Sequence, residues 1–191
     1  MTAFTVNLAP AIQMTDEQFY QLCQANETLR FERTARGDLV IMPPTGGETS
    51  NRNASLTGQL WLWNDRHQLG QVFDSSGGFK LLNGANRSPD AAWIRQERWD
   101  ELEPAQKVRF VPLCPDFAIE LLSPSDSLAA LRAKMAEYLT NGIQLGWLIN
   151  RQARQVEIYR PDRPVEILDA PASVSGDPLL PGFVLQLRSI W

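Results

Sequence analysis

The sequence has one histidine and two cysteines among its 191 residues. The single histidine, His67, excludes metal sites built from several histidines, and a Ser-His-Asp triad would depend on that one residue. Its position in WNDRHQLG is typical of a helix end, where a polar side chain more often caps the helix than acts as a base. Two cysteines are too few for a disulfide framework, and the apolar surroundings of Cys23 and Cys114 predict reduced core residues.

Long hydrophobic runs and an excess of positive charge are also absent. No apolar run approaches the roughly 20 residues of a membrane-spanning helix, and no charged segment followed by an apolar one opens the sequence, so we expect a cytoplasmic protein. The net charge of −4 argues against a protein coated by nucleic acid, but it allows a local basic groove, since 15 of the 18 basic residues are arginines. The lysines are Lys80, Lys107 and Lys134.

The order of predicted elements indicates an α/β fold. A hydrophobic share of 43% in a chain of this length predicts one domain over residues 1–191. TDEQFYQLCQAN predicts a helix capped by Thr15, and LRFERTARGDLVIM predicts a β-hairpin. Further helices are predicted up to about Asp65 and over Leu128–Thr140, from the spacing of apolar residues. The other apolar segments predict strands of a mixed sheet flanked by these helices: QVFDSSGGFKLL, SPDAAWI, DFAIELL, GWLIN, RQVEIYR, PVEILD and GFVLQLR.

A glutamate interrupts the apolar run in the segment CPDFAIELL. A carboxylate in a buried strand loses its contacts with water, so Glu120 needs a cation, a hydrogen-bond donor or a function. A second carboxylate, Asp90, opens an earlier predicted strand in RSPDAAWI. If the two strands are neighbours, Asp90 and Glu120 converge within reach of one metal ion. Two carboxylates, with water in the remaining positions, are the usual protein contribution to a Mg²⁺ site for phosphate-ester chemistry.

The order of these motifs resembles a known family. SPD, the buried glutamate, SPSD, a helix containing LRAKMAEYLTNG and the strand GWLIN follow each other as in the bacterial "putative restriction endonuclease" domain family of the PD-(D/E)XK nuclease superfamily. The resemblance covers nearly the whole chain, from the TDEQFY helix to the last strands. It implies a restriction-endonuclease-like core with an N-terminal helix and hairpin, an acidic pair that binds Mg²⁺ or Mn²⁺, and a lysine that assists hydrolysis.

The resemblance transfers to individual residues with one departure. Asp90 matches the aspartate of the PD motif, and Glu120 matches the (D/E) position. Two residues after Glu120, where the family pattern has lysine, this chain has Leu122. One interpretation is that the lysine has migrated to the following helix, with Lys134 as the leading candidate and Lys80 as the reserve. The other is that the site has decayed and that the fold now binds a partner without cutting it.

Three residues outside the acidic pair, Glu48, Asp116 and Trp99, also need an interpretation. Glu48 follows PPTGG at a helix start, where the resemblance implies an additional acidic residue near the metal, although a helix dipole also favours a carboxylate there. Asp116 is about 13 Å from Glu120 along one strand, too far to share an ion, so a strand-end role is predicted. Most tryptophans lie in apolar runs and are predicted core or subunit-interface residues, whereas Trp99, in RQERWDELEP, is the best candidate for an exposed contact.

The sequence therefore predicts a Mg²⁺-dependent endonuclease that hydrolyses DNA, with Asp90 and Glu120 as metal ligands. Lys134 is the predicted charge-stabilising partner, and Glu48 an auxiliary ligand. A homodimer is expected by analogy, because cutting both strands needs two sites. The main alternative is a non-catalytic dimeric binding protein on the same fold, in which Glu120 is a structural acid paired with an arginine. A glycosidase that uses two carboxylates without a metal is a more distant alternative.

Overall fold

A computed structural model describes residues 3–9, 11–124 and 126–191. Its first helix begins with the predicted cap: the Thr15 hydroxyl accepts a hydrogen bond from the Gln18 backbone, and the Gln18 side chain accepts one from the Thr15 backbone. Up to residue 95 the elements are β1 (Phe4–Val6), α1 (Asp16–Ala25), β2 (Arg30–Arg33), β3 (Leu39–Met42), α2 (Gly47–His67), β4 (Gly70–Asp74), β5 (Phe79–Lys80), β6 (Asn86–Arg87) and β7 (Ala91–Arg95).

The second half contains the helix that the sequence predicted over Leu128–Thr140, with the same bounds. It ends at the Asn141 cap, and the following Gly142 has φ of 100°, a conformation that glycine adopts without steric cost. After β7 the elements are α3 (Gln96–Asp100), α4 (Pro104–Lys107), β8 (Phe117–Leu122), α5 (Leu128–Thr140), β9 (Leu145–Asn150), β10 (Gln155–Tyr159), β11 (Glu166–Asp169), β12 (Ser173–Ser175) and β13 (Val184–Gln186).

Six strands form the central sheet, in the order β11-β10-β9-β8-β7-β4. Within it β8 and β9 are parallel and α5 connects them, whereas the other neighbouring pairs are antiparallel. The hairpin β2–β3 belongs to a second sheet, of order β1-β3-β2-β6-β5, and β12 pairs with β13. The predicted fold class, a mixed sheet flanked by helices, is confirmed.

The two long helices cover opposite faces of the central sheet. On one face the buried side of α2, which is formed by Asn53, Leu56, Leu60 and Trp63 as the sequence predicted, joins a core that includes Phe117 of β8. On the other face α5 contributes Met135 and Tyr138 to a second core. Each large apolar side chain buried in this way contributes roughly 1.5–3 kcal/mol. The sheet is therefore held between two apolar layers, and a polar group in either layer must find its partners inside the protein.

Predictions about single residues have mixed outcomes. Both cysteines are free, with Cys114 buried and Cys23 half-buried. His67 is the last residue of α2, and its Nδ1 lies 2.8 Å from the Trp63 carbonyl oxygen. The exposed role predicted for Trp99 is wrong, because α3 and α4 replace the expected polar connection and pack the half-buried ring against the core and the ring of Phe73. Among the described helices, none combines the length and apolar character needed to span a bilayer.

Candidate active site

Asp90 and Glu120 lie on neighbouring strands. Asp90 immediately precedes β7, Glu120 belongs to β8, and the antiparallel register pairs Ala91 with Ile119. Asp90 Oδ2 accepts a hydrogen bond of 2.8 Å from the backbone N–H of Leu121, which fixes the carboxylate beside the Glu120 position. The two acidic residues singled out from the sequence are therefore brought together at the C-terminal end of β8.

Helix α2 supplies an amide to the same place. The Nδ2 of Asn53 donates a hydrogen bond of 2.7 Å to Asp90 Oδ1. Because this bond turns the amide nitrogen toward Asp90, the amide oxygen faces away from that carboxylate. Asn53 Oδ1 is buried and has no hydrogen-bond partner within the described residues, whereas buried polar atoms are nearly always paired. This exception belongs to the residue that holds the Asp90 carboxylate in place.

Helix α5 supplies the cation. Lys134 Nζ lies 2.8 Å from Glu120 Oε1 and 2.7 Å from an oxygen of Glu32. One turn later, the Tyr138 hydroxyl donates a hydrogen bond of 2.9 Å to the same Glu120 oxygen. The predicted approach of Lys134 from the following helix to Glu120 is thus present in the structure. The reserve lysine, Lys80, instead pairs with Asp16 of α1.

Glu32 is a site residue that sequence reasoning missed. It is buried in β2, where it pairs with Arg87 at 3.0 Å and accepts a hydrogen bond of 2.9 Å from the backbone of Ser88. Strand alternation places it on the opposite side from Phe31, which favours exposure for a hairpin glutamate. The residue is buried because Lys134 of α5 and Arg87 pack against that side of β2, and no pattern within the hairpin indicates these contacts. The hairpin therefore contributes a second carboxylate to Lys134.

The ionisable groups of this cluster have pKa values that are shifted in different directions. Burial raises the pKa of Glu120 to about 7, since the lowering by Lys134 is smaller and nearby Asp90 and Glu32 raise it further. Burial also raises the pKa of Asp90. For Glu32 the attraction of Lys134 and Arg87 outweighs burial, so its pKa is lowered. Burial alone would lower the pKa of Lys134, but its two glutamate partners raise it above the ordinary value. Lys134 therefore stays charged, and the carboxylates around it outnumber it.

Two other predicted acids lie elsewhere. Glu48 is in the first turn of α2, and its carboxylate contacts Arg52 and Arg151. Its role as an auxiliary metal ligand stays a prediction. Asp116 precedes β8, accepts a hydrogen bond of 2.9 Å from the backbone of Arg95 and pairs with Arg98 at 3.0 Å. Those bonds give Asp116 a place at the strand end, away from the C-terminal end of β8.

The donor set is small and consists of oxygen atoms. Within the part of the chain that the structure describes, no group of three or more histidine, cysteine, aspartate or glutamate side chains is placed to hold a metal ion. Asp90 and Glu120 form a pair of carboxylates, and the amide nitrogen of Asn53 donates to Asp90. A pair of carboxylates completed by water suits Mg²⁺, which keeps much of its hydration shell in proteins.

Comparisons with known proteins show the fold and the family of this chain. The fold is similar to the crystal structure of a "putative nuclease belonging to DUF820" from Anabaena variabilis ATCC 29413, with a TM-score of 0.72 and 21% identity over 87% of this chain and 90% of that chain. No curated protein matches at a significant level. The model of the Uma2 family, described as "Putative restriction endonuclease", matches residues 16–188. This match spans most of the chain, which therefore belongs to the Uma2 family.

Proposed function

We propose that the protein is a Mg²⁺-dependent endonuclease that hydrolyses DNA phosphodiester bonds, with Asp90 and Glu120 as the metal ligands. Membership of a nuclease family supports the reaction class. The observation that carries the residue assignment is the placement of Asp90 and Glu120 on adjacent strands, where Asn53 and the Leu121 backbone donate to Asp90. We also propose a cytoplasmic homodimer, in which two sites cut the two strands.

The residues present fit a hard divalent cation. Asp90 and Glu120 offer carboxylate oxygens, which Mg²⁺ and Mn²⁺ prefer over nitrogen or sulfur. Asn53 would add its amide oxygen as a further ligand only if its side-chain amide turned over, because its nitrogen faces Asp90 in this structure. A bound Mg²⁺ would polarise a phosphodiester oxygen and lower the pKa of a bound water. It would also offset the repulsion between the two buried carboxylates.

The other side chains act by charge and position. Lys134 is held charged between Glu120 and Glu32, so it acts as a donor to a phosphate oxygen on which negative charge develops, and not as a general base. Tyr138 donates to Glu120, and burial raises its pKa well above the ordinary value, so it stays protonated. Asn53 and the Leu121 backbone orient the Asp90 carboxylate. Of the two interpretations of the missing lysine, these roles favour migration to the following helix, with Lys134 as the migrated residue.

The test combines metal binding with cleavage in the same buffer. Titration calorimetry measures Mn²⁺ or Mg²⁺ binding to the wild type, to Glu120→Gln and to the control Glu157→Gln, and plasmid nicking is assayed alongside. We expect Glu120→Gln to lose metal binding and to lower the nicking rate by at least about 100-fold. Glu157 is another buried glutamate of the central sheet, paired with Arg132, so its variant should keep both properties.

Either part of the proposal can fail. If the wild type binds no metal at millimolar concentration, Glu120 is a structural acid, and the non-catalytic binding protein becomes the better description. If the wild type nicks DNA and Glu120→Gln does so equally, the catalytic residues have been assigned wrongly. Retained nicking in the presence of EDTA would contradict the metal requirement itself.

A further inference from the structure

Two arginines share one carboxylate beside the candidate active site. Arg52 Nη1 lies 3.2 Å from Glu48 Oε2, and Arg151 Nη2 lies 3.4 Å from the same oxygen. The side chains of both arginines are 16% exposed, whereas that of Glu48 is 78% exposed. Two largely buried cations therefore have one solvent-exposed anion between them.

The hydrogen-bonding capacity of these arginines is not filled. A guanidinium carries five N–H donors. Arg52 uses Nε for a bond of 2.9 Å to the Ile190 carbonyl, but Arg151 Nε is buried without a partner in the described part of the chain. A buried donor without an acceptor costs free energy, and a guanidinium that keeps N–H groups at its exposed tip can still bind an anion. The pair thus has both spare charge and spare donors.

This pair lies at the C-terminal ends of the central strands β8 and β9, where Asp90 and Glu120 also lie. Arg151 directly follows the last residue of β9, Asn150, which is in register with Leu122 at the end of β8. Arg52 directly precedes Asn53, the residue that donates to Asp90. An anion held by the arginines would therefore lie next to the candidate metal site.

The chain around the start of α2 leaves room for such an anion. Gly46, the N-cap, makes no side-chain hydrogen bond to the helix, and a side chain added at Gly46 or Gly47 would meet no atom within 4 Å. The first backbone N–H groups of a helix are unpaired within it and attract negative charge. This feature adds to the two arginines, whose charge and geometry suit the paired oxygens of a phosphate group.

We propose that Arg52 and Arg151 clamp a backbone phosphate of the DNA substrate next to the one that is cut, and that Glu48 occupies the clamp when DNA is absent. This inference rests on the proposed nuclease function for the identity of its ligand. In this proposal the Glu48 carboxylate competes with the phosphate for the arginines, whereas the sequence predicted an auxiliary metal ligand. The two roles predict opposite results for the same substitution.

The experiment measures DNA binding without cleavage. Fluorescence anisotropy of a short fluorescein-labelled DNA duplex is followed in EDTA, with the full chain and over a series of salt concentrations. Arg151→Gln should weaken binding at least about 5-fold and reduce the slope of log affinity against log salt by about one. Glu48→Gln should strengthen binding about 3-fold, because it removes the competing carboxylate from an exposed position where folding is not at risk.

Arg163→Gln provides the matched control. Arg163 is an exposed arginine that lines a cavity with Gln144 and Leu145, at the opposite end of β9 from Arg151. Its loss changes the net charge by the same amount, so a general electrostatic effect would appear in this variant too. We expect its affinity to stay within about 2-fold of the wild type. Arg151→Lys keeps the charge but loses the planar fork, and it should bind more weakly than the wild type.

Several results would overturn the clamp. These are a wild type that does not bind the duplex at low salt, an Arg151→Gln affinity equal to that of the wild type, and an equal loss in Arg163→Gln. Weaker Mg²⁺ binding in Glu48→Gln, with unchanged DNA affinity, would instead make Glu48 a metal ligand. Because the binding assay contains no metal, a wild type that fails to bind Mg²⁺ or to nick DNA would contradict only the proposed nuclease activity. If that protein and its variants still bound DNA with the expected affinities, the arginine clamp would stand as a DNA-binding site on a fold without nuclease activity.

Discussion

Glu120 and Glu157 lie in one row of the central sheet but have opposite electrostatic environments. Both are in register with Leu148, Glu120 from β8 and Glu157 from β10, and both face α5. Both side chains are almost completely buried. The pKa of Glu120 is raised to about 7, whereas the pKa of Glu157 is lowered. Neither the type of residue nor the covering helix explains this difference, and burial raises the pKa of both carboxyl groups.

The pKa values differ because Glu157 pairs with a cation that it does not share, whereas Glu120 shares its cation with another carboxylate. Burial raises the pKa of Glu157, but hydrogen bonds from Arg132 and Tyr159 outweigh it. Arg132 reaches both carboxylate oxygens, with N···O distances of 2.6 to 3.2 Å. Glu120 shares Lys134 with Glu32 and is also close to Asp90, so negative charge is in excess there. A carboxylate with its own set of donors stays charged, and one that shares its cation with other carboxylates is suited to bind a further cation.

The largest expected effect distinguishes Lys134, which pairs with Glu120, from Arg132, which pairs with Glu157. Lys134→Met leaves Glu32 and Glu120 buried without their shared partner, and we expect the free energy of unfolding to fall by about 3–5 kcal/mol. Arg132→Met should cost much less, because the Arg132 side chain is 50% exposed and water reaches its pair, whereas that of Lys134 is 11% exposed. Urea unfolding at pH 8 without metal measures both. Equal losses would show that the two glutamates are equivalent.

A smaller effect depends on pH. The folded pKa of Glu157 is lowered from its ordinary value near 4.5, so its ion pair stabilises the protein above that value and loses this contribution as the pH falls through the folded pKa. Glu157→Gln should therefore lower the free energy of unfolding by about 1 kcal/mol at pH 7, because water screens this pair, and by progressively less below pH 4. Urea unfolding of both proteins between pH 3 and 8 checks this. A difference that does not depend on pH would mean that packing, and not charge, holds Glu157.

Removing the Glu120 carboxylate should change the free energy of unfolding in the opposite direction from removing that of Glu157. Glu120→Gln keeps an acceptor for Tyr138 and leaves Lys134 paired with Glu32, while it removes one anion from a cluster with excess negative charge. We expect the metal-free variant to be about 1 kcal/mol more stable than the wild type at pH 8, although it lacks activity. Thermal and urea unfolding measure the change. Destabilisation by more than about 1 kcal/mol would show that the Glu120 carboxylate is part of a satisfied structural pair.

The sequence predicted Glu120 and its surroundings because the signals are local. Alternation along β8 places the glutamate inside an apolar strand, and the apolar spacing of α5 places Lys134 within reach of it. The helix bounds, the Thr15 cap and the hairpin follow from patterns of the same kind. The adjacency of Asp90 and Glu120 needed a register between two strands, which the family resemblance implied and the pairing of Ala91 with Ile119 shows.

The parts that the sequence did not predict all depend on contacts between distant segments. Glu32 reaches Lys134 only because the N-terminal hairpin packs next to α5. The arginines on either side of Glu48 come from α2 and from the end of β9, and no local pattern connects them. Trp99 appeared exposed because its neighbours in sequence are polar, yet short helices fold it against Phe73. Partners of a charged side chain are thus harder to predict than its burial.

The smallest expected effect compares two tyrosines that donate to the two glutamates. Tyr138 donates to Glu120 at 2.9 Å, and Tyr159 donates to Glu157 at 2.6 Å. Tyr159→Phe leaves Glu157 with its two-oxygen contact to Arg132, so we expect a loss of about 0.5 kcal/mol. Tyr138→Phe leaves Glu120 with a lysine that it shares, and the loss should be about 1 kcal/mol. Urea unfolding of both single variants, repeated in a Glu120→Gln background, separates the contributions. A larger loss in Tyr159→Phe would reverse the comparison, since it would make Glu157 the carboxylate that depends more on its neutral donor.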